Sequence, residues 1–181
     1  MISTPKQAST VVLINEDYEV FLTKRPKSMR FLGGYYVFPG GGMDKVDREI
    51  DPTLLRGKIR EESLDIGHYI AAARELFEEV GILLAETKDG KLVNLENQVR
   101  DRLRTKLLQD QLNFEQLLIQ HKLYLNTKHL HYFGNLITPE QMDIRFDTKF
   151  FLAKLPAKQS PKINKREVAN ACWISAEEGL S

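Results

Sequence analysis

The stretch from residue 67 to residue 81 constrains this chain most, because it combines an apolar helical stripe with a group of acids. Glu75, Glu78 and Glu79 stand at i, i+3 and i+4, so in a helix they share one face. At roughly 100° per residue, the apolar residues of the stretch fall on the opposite face: Tyr69, Ile70, Ala73, Leu76, Phe77 and Val80. Gly81 follows, where helices often end in a left-handed conformation. The stretch therefore predicts a helix that packs on a core and holds three carboxylates side by side.

Three carboxylates this close repel one another unless a cation lies between them. Their hard oxygen atoms suit Mg²⁺ or Mn²⁺, which bind phosphate oxygens at the same time. The alternative is an acidic face exposed to water, the usual role of a run of charges. Two features favour the metal site. Arg74 is placed to pair with Glu78, and the glycines at 40–42 can bring backbone N–H groups close to a phosphate.

The composition indicates one globular domain over residues 1–181. The chain is 42% apolar and 28% charged, and 26 Lys and Arg against 25 Asp and Glu leave a net charge of +1. That balance argues against nucleic acid or a membrane as the partner, because both favour a surplus of positive charge. Cys172 is the single cysteine, which excludes an internal disulfide. The sequence shows no apolar leader or membrane-spanning run, so we expect a cytoplasmic protein, either monomer or homodimer.

Strand and helix patterns alternate along the chain and predict an α/β fold. Short apolar or β-branched runs predict strands, the first two as a hairpin: 11–14, 19–23, 35–38, 82–85, 132–137, 148–152 and 171–174. Residues 44–67 are charged and contain Pro52 and Gly57, which predicts a loop with at most one short helix. Apolar residues at helical spacing predict two helices in an all-α insert over about residues 94–126.

Residues 74–82, Arg-Glu-Leu-Phe-Glu-Glu-Val-Gly-Ile, resemble the second half of the Nudix hydrolase signature, R-E-U-x-E-E-x-G-U with U apolar. The first half, G-x5-E, is matched by Gly41 and Asp47, with Asp in place of Glu. In the family this acid lies much closer to the Arg, whereas 26 residues intervene here, so residues 48–66 form an insertion within the signature. The sequence leaves open whether Asp47 lies near the carboxylates.

The resemblance implies the Nudix α/β/α sandwich with a mixed β-sheet, here with a helical insert. It also implies that Glu75, Glu78 and Glu79 bind Mg²⁺ or Mn²⁺ and that Arg74 orients these carboxylates. The implied reaction is attack of water on a nucleoside diphosphate linked to another moiety. Many family members place a further Glu near Glu167, as a metal ligand or general base, and an ordinary charged loop residue is the alternative here.

A narrower resemblance covers residues 21–41. A coenzyme A–hydrolysing branch of the family carries the motif L-L-T-x-R-S/A-x3-R-x3-G-x3-F-P-G-G. This chain has Arg25, Arg30, Gly34 and Phe-Pro-Gly-Gly at 38–41 at those spacings, and departs from the motif at Phe21 and Pro26. With the insertions, the chain resembles the peroxisomal-type acyl-CoA diphosphatases and their bacterial relatives.

This resemblance implies coenzyme A or acyl-CoA as the substrate, cut to 3′,5′-ADP and an (acyl-)phosphopantetheine. Arg25, Arg30, Gly40 and Gly41 would bind it, although a basic stretch that is only a solvated loop is the alternative. ADP-ribose or another ADP-sugar is the competing substrate. Members that act on ADP-ribose often carry a proline soon after the signature, and none lies between Pro52 and Pro139, which mildly favours coenzyme A. A catalytically silent Nudix sensor is the alternative of another class, although such modules commonly lose the signature carboxylates.

Two further expectations concern the insert and the end of the sequence. Phe114, Leu117, Leu118 and Tyr124 indicate ordinary helix packing, with an acyl or pantetheine groove as the alternative. Residues 177–181 stand where the family begins its last helix, so we expect that helix to be short or cut off.

Overall fold

The computed structural model describes residues 3–59 and 64–180, so residues 60–63 of the predicted insertion lie outside it. The strands are β1 (Lys6–Ile14), β2 (Val20–Lys24), β3 (Tyr36–Val37), β4 (Gly40–Gly42), β5 (Leu55–Arg56), β6 (Ala85–Glu86), β7 (Tyr124–Asn126), β8 (His131–Ile137), β9 (Phe146–Lys154) and β10 (Asn170–Ile174). The helices are α1 (Gly67–Val80), α2 (Asn97–Leu108), α3 (Phe114–His121) and α4 (Ala176–Leu180).

The larger sheet is mixed, as predicted. Its strand order is β10-β2-β1-β9-β8, with β3 paired to β2 and β4 paired to β1. The long strand β1 runs antiparallel to β2 and β4 but parallel to β9. Ile14 lies opposite Val20 where β1 turns into β2, which confirms the predicted hairpin. The β-branched and apolar residues of β1 are almost all buried, as expected for a strand in the middle of a sheet.

Helix α1 lies against β1 and β4, and its apolar side forms the centre of the core. Leu76, Phe77 and Val80 are fully buried. The helix ends at Gly81, which has a φ of 74° and donates its N–H to the Phe77 carbonyl at 2.9 Å. A left-handed residue with this hydrogen bond is the usual glycine end of a helix. The predicted helix and its end are confirmed.

The predicted strand at 82–85 is wrong for its first three residues. Ile82, Leu83 and Leu84 are buried, but a side-chain amide takes the place of a neighbouring strand. Gln159 donates from Nε2 to the Leu83 carbonyl and accepts the Leu83 N–H at Oε1, both at 2.9 Å. Since Gln159 already binds both backbone groups of Leu83, strand pairing begins only at β6.

The predicted helices of the insert form, but the insert is not all-α. It ends in β7, which pairs parallel with β5 and antiparallel with β6 in a second, smaller sheet. The predicted loop at 44–67 contributes β5 and also two 3₁₀ helices, Lys45–Arg48 and Pro52–Leu54, rather than at most one. Phe114, Leu117 and Leu118 are buried in the core, so these residues pack rather than line a groove.

The remaining helix, α4, follows β10 where the family's last helix was expected. Two of its residues, Ala176 and Gly179, lie along the cleft described below. Within the described residues, no helix combines the length and the apolar character needed to cross a membrane.

Candidate active site

The carboxylates of α1 face the glycine strand β4. The Gly40 N–H donates to Glu79 Oε2 at 3.0 Å. A Cβ on Gly41 would lie 2.5 Å from Glu75 Oε1, so any other residue there would displace this carboxylate. Pairing of β4 with residues 8–10 of β1 fixes the glycines at this place. Gly40 and Gly41, the two glycines predicted to bind substrate, therefore lie directly beside the carboxylates of Glu79 and Glu75.

Arg74 is buried and joins these carboxylates to Asp47. Its Nε and Nη2 donate to the two carboxylate oxygens of Asp47 at 3.0 and 2.9 Å. Its Nη1 donates to Glu75 Oε1 at 2.9 Å and to Glu78 Oε2 at 3.2 Å. A guanidinium with two parallel bonds to one carboxylate is strongly fixed in orientation. Asp47 is 1% exposed, so the acid that the insertion separates from α1 in sequence lies beside the helix in space.

The loop between β9 and β10 brings Glu167 to the same place. It docks on the end of α1, where the N–H groups of Lys162 and Asn164 donate to the carbonyls of Val80 and Glu79, both at 2.8 Å. Asn164 accepts the N–H of Glu167 at 3.0 Å. Its Nδ2 donates to Glu167 Oε2 at 3.2 Å. Glu167 is half-buried and lines the same cleft as Glu79.

Glu75, Glu78, Glu79 and Glu167 form an acidic group. When all four are ionised, they carry more negative charge than Arg74 and Arg25 balance. Burial raises the pKa of Glu78 to about 8, against the lowering effect of Arg74. Burial and the charge of Glu75 raise the pKa of Glu79 to about 8, and burial also raises the pKa of Glu75 itself. The charge of Glu167 adds to all three increases. At neutral pH Glu78 and Glu79 therefore favour their protonated forms unless a cation compensates their charge.

The donor chemistry of this group fits a hard divalent cation. Mg²⁺ and Mn²⁺ prefer carboxylate oxygens, and a bound cation would remove the repulsion that raises these pKa values. In residues 3–59 and 64–180, however, no three or more His, Cys, Asp or Glu side chains are already arranged to hold a metal ion. Glu75 and Glu78 bind Arg74 instead, and Glu79 binds Gly40. A cation would have to draw the carboxylates from these partners.

A cleft of about 880 Å³ opens on the face of the larger sheet that points away from α1. Side chains alternate along β9: Phe150 lines the cleft, whereas Phe151 contacts Tyr69 of α1 with ring centroids 4.9 Å apart. Glu75 and Glu79 reach this cleft beside β4, which has no side chains to cover them. The rest of the lining is largely aromatic and aliphatic, and includes Phe31, Phe38, Leu136, Phe146 and Ile174.

Of the two predicted substrate-binding arginines, Arg25 lines the cleft. Its Nε donates to the Phe31 carbonyl at 3.0 Å, and its charge acts to lower the pKa of Glu79. Arg30 is exposed in the same loop and is not among the described residues that line the cleft. The structure thus brings Arg25, the glycines and the carboxylates together and leaves Arg30 at the surface.

Sequence reasoning missed Arg104 and the aromatic lining of the cleft. Arg104 lies on α2 and binds the backbone of α1, and its sequence signal is weak because α2 also carries three other basic residues, Arg100, Arg102 and Lys106. The aromatic lining, by contrast, did have a signal in the sequence. Phe146 and Phe150 recur with the period of two that places residues on one face of a strand. That pattern indicates an apolar face without saying whether another layer covers it.

Comparison with known proteins agrees with this geometry. Residues 58–181 match the family described as the NUDT19 Nudix domain. The putative nudix hydrolase 7 of Caenorhabditis elegans is 30% identical over 171 residues, 94% of this chain and 51% of that protein. The acyl-coenzyme A diphosphatase NUDT19 of Xenopus laevis is 28% identical over 206 residues, 91% of this chain and 54% of that protein. This chain spans about half the length of these relatives.

Solved structures share the fold of this chain. A NUDIX hydrolase from Alicyclobacillus acidocaldarius matches with a TM-score of 0.82 and 28% identity, over 99% of this chain and 83% of that chain. A MutT protein from Methanosarcina mazei Go1 shares the fold, with a TM-score of 0.54 and 15% identity over 99% of this chain and 84% of that chain. The Nudix α/β fold implied by the sequence is confirmed. With its signature helix, its fold and the family match over more than half its length, the chain belongs to the Nudix hydrolase family.

Proposed function

We propose that this chain is a divalent-metal-dependent hydrolase that cleaves coenzyme A or acyl-CoA to 3′,5′-ADP and an (acyl-)phosphopantetheine. The broader reaction class, hydrolysis of a nucleoside diphosphate linked to another moiety, is supported by the family and by the acidic group on α1. The coenzyme A assignment is supported by the motif at residues 21–41 and by the name of the Xenopus laevis relative. The observation that carries the proposal is an acidic group that borders a cleft with a largely apolar lining.

The acidic and the apolar parts of the cleft lining suit the two parts of such a substrate. A cleft of about 880 Å³ can accommodate a ligand of coenzyme A's class. The diphosphate would lie beside Glu75 and Glu79, and Arg25 of the same lining offers a bidentate donor. Phe31, Phe146 and Phe150 offer surfaces for the adenine ring or for a pantetheine or acyl chain. ADP-ribose has no such apolar chain and would leave part of this lining without a partner.

The proposed mechanism assigns each residue of the site a role. Glu75, Glu78 and Glu79 would hold the cation, which when bound screens the diphosphate charge and stabilises the leaving oxygen. Arg74, fixed by Asp47, keeps the carboxylates oriented. Glu167 takes the proton of the attacking water. The water oxygen forms a new bond to phosphorus as the P–O bond to the leaving group breaks.

A substrate panel with added Mg²⁺ or Mn²⁺ tests this proposal. We expect turnover of coenzyme A and acyl-CoA to exceed that of ADP-ribose at low concentration, because only the former pair fill the apolar lining. Mass spectrometry of the products should show 3′,5′-ADP and not adenosine. The same reactions with a chelator serve as the control and should show no turnover.

Two results would contradict the proposal at different levels. Equal turnover of ADP-ribose and coenzyme A would remove the coenzyme A assignment but keep the reaction class. Binding of a nucleotide without turnover of any compound in the panel would favour the silent sensor instead. Calorimetry with the same panel separates that second result from a protein that binds none of these compounds.

A further inference from the structure

The last turn of α1, which carries Glu78 and Glu79, is held by a side chain from the helical insert. Arg104 of α2 donates from Nε and Nη2 to the Glu78 carbonyl at 3.2 and 2.8 Å. Its Nη2 also donates to the Glu79 carbonyl at 3.0 Å. The last carbonyls of a helix have no partner within the helix. One guanidinium therefore binds the backbone of two of the proposed metal-binding residues.

Gly81 makes this approach possible. Its φ of 74° turns the chain sharply at the end of α1. A Cβ at this position would lie 3.2 Å from Arg104 Nη1 and 3.2 Å from the Cδ atom of Arg100. A contact of that length is tighter than usual and would require the arginine side chains to shift by a few tenths of an ångström. The glycine of the Nudix signature therefore leaves room here for a side chain from outside the signature.

The burial of Arg104 is not explained by packing alone. The residue is 6% exposed, and among the described residues it forms no ion pair. Burial lowers its pKa, as expected for a cation taken out of water. An apolar side chain would be less costly to bury at such a place. A cation is favoured here because the end of a helix carries partial negative charge.

We propose that Arg104 is a positioning residue that fixes the last turn of α1, so that Glu78 and Glu79 are held ready to bind the divalent cation. The helical insert is then part of the construction of the site. This inference rests on the proposed function only in requiring that Glu78 and Glu79 bind a divalent cation. It does not depend on which substrate is hydrolysed.

The affinity of the full chain for Mn²⁺, measured by calorimetry, tests the inference without any substrate. Arg104→Met keeps the length and the apolar stem of the side chain but removes the donors. Arg102→Met is the matched control, because Arg102 is exposed on the same helix. We expect Arg104→Met to weaken Mn²⁺ binding about 10-fold, the usual effect of losing a group that holds a metal ligand in place. Arg102→Met should bind as the wild type does.

Arg104→Lys keeps the charge but lacks the planar fork, so it should lose less affinity than Arg104→Met. If the enzyme is active, the Mg²⁺ concentration for half-maximal rate should rise with the same ranking, while the substrate KM stays unchanged. A purely structural role predicts instead a lower unfolding temperature with unchanged Mn²⁺ affinity in the folded protein. Circular dichroism at the titration temperature establishes that each variant is folded.

The outcomes separate this inference from the proposed function. A folded Arg104→Met that binds Mn²⁺ like Arg102→Met overturns it. If Arg104→Met does not fold, Arg104→Lys decides: weaker Mn²⁺ binding supports the inference, and wild-type affinity overturns it. A wild-type protein that binds Mn²⁺ but hydrolyses nothing defeats the proposed function, and the variants still decide the role of Arg104. A wild-type protein that binds no Mn²⁺ overturns both.

Discussion

Two groups of buried acids in this protein are built in opposite ways. Around Glu86, one carboxylate meets an excess of donors: Asn126 at 2.9 Å, Lys128 at 2.7 Å and His129 at 2.7 Å. Although burial acts to raise it, these hydrogen bonds lower the pKa of Glu86 to about 2. Around Arg74 the balance is reversed, because several carboxylates share one guanidinium.

The difference distinguishes a structural group from a candidate site. Glu86 lies on β6, accepts a hydrogen bond from Asn126 of β7 and has Arg56 of β5 at 3.9 Å, so it links the strands of the smaller sheet. Its charge is matched, and no further ligand is needed. The group around Arg74 is not matched and disfavours the folded state at neutral pH. An acidic group of this kind is typical of functional sites, where a ligand supplies the missing charge.

Matched substitutions in the two groups should have the largest effect and should differ in kind. Glu79→Gln is expected to lower kcat/KM by several orders of magnitude, because the amide is a poor ligand for a hard cation. Glu86→Gln should leave the rate per folded molecule unchanged. Steady-state assays with Mg²⁺ on both variants, normalised to the folded fraction, make the comparison. Near-wild-type activity in Glu79→Gln would mean that the metal site is misplaced.

A pair of glycines sharpens the comparison within β4. A Cβ on Gly41 would meet the Glu75 carboxylate at 2.5 Å, whereas a Cβ on Gly42 has no neighbour within 4 Å. Because the group displaced at Gly41 is the end of a flexible side chain, Gly41→Ala should cost little stability. It should lower activity about 10- to 100-fold by moving a proposed ligand. Gly42→Ala is the control, and equal activity in the two variants would show that the position of Glu75 is not critical.

Spacing alone predicted those features of the site that are local in the chain, and the family resemblance added Arg25, Gly40, Gly41 and Glu167. The helix, its acidic face and its end at Gly81 follow from spacings within one short segment. The partners of that helix arrive from far away. Asp47 binds Arg74 across 27 residues, and Arg104 binds the Glu78 carbonyl across 26. The Arg104 contact is to the backbone, which no pattern of side chains encodes.

The same reason explains the errors in the fold. Residues 82–84 have the composition of a strand, but Gln159 satisfies the Leu83 backbone from 76 residues away. The strand β7 is too short for its pattern to stand out beside the two helices of the insert. Local periodicity therefore predicted the helices and strands that are long enough to repeat a pattern several times. Tertiary contacts determined the conformation of the shorter segments.

The smallest expected effects are on stability, and they should appear in opposite pH ranges for the two groups. Glu78 and Glu79 have pKa values of about 8 when folded against 4.5 when unfolded. Their contribution to the free energy of unfolding is fully present below about pH 4.5 and is lost as the pH rises through about 8. Glu86 has a folded pKa of about 2, so its contribution is present above about pH 4.5 and is lost as the pH falls towards 2. Without divalent cations, the unfolding temperature should therefore fall on both sides of a mildly acidic maximum.

Two variants and the addition of Mg²⁺ should each reduce the fall in unfolding temperature on one side of this maximum. Glu79→Gln should reduce the fall in unfolding temperature as the pH rises, because the neutral amide has no charge to bury. Glu86→Gln should weaken the acid fall and lower stability at neutral pH by about 1–3 kcal/mol, the usual cost of leaving buried partners unpaired. Mg²⁺ should stabilise the wild type more at alkaline than at acidic pH, because its binding favours the ionised carboxylates. Thermal unfolding across the pH range, with and without Mg²⁺, measures all three effects. Equal stabilisation by Mg²⁺ at every pH would show that the ion binds somewhere other than these carboxylates.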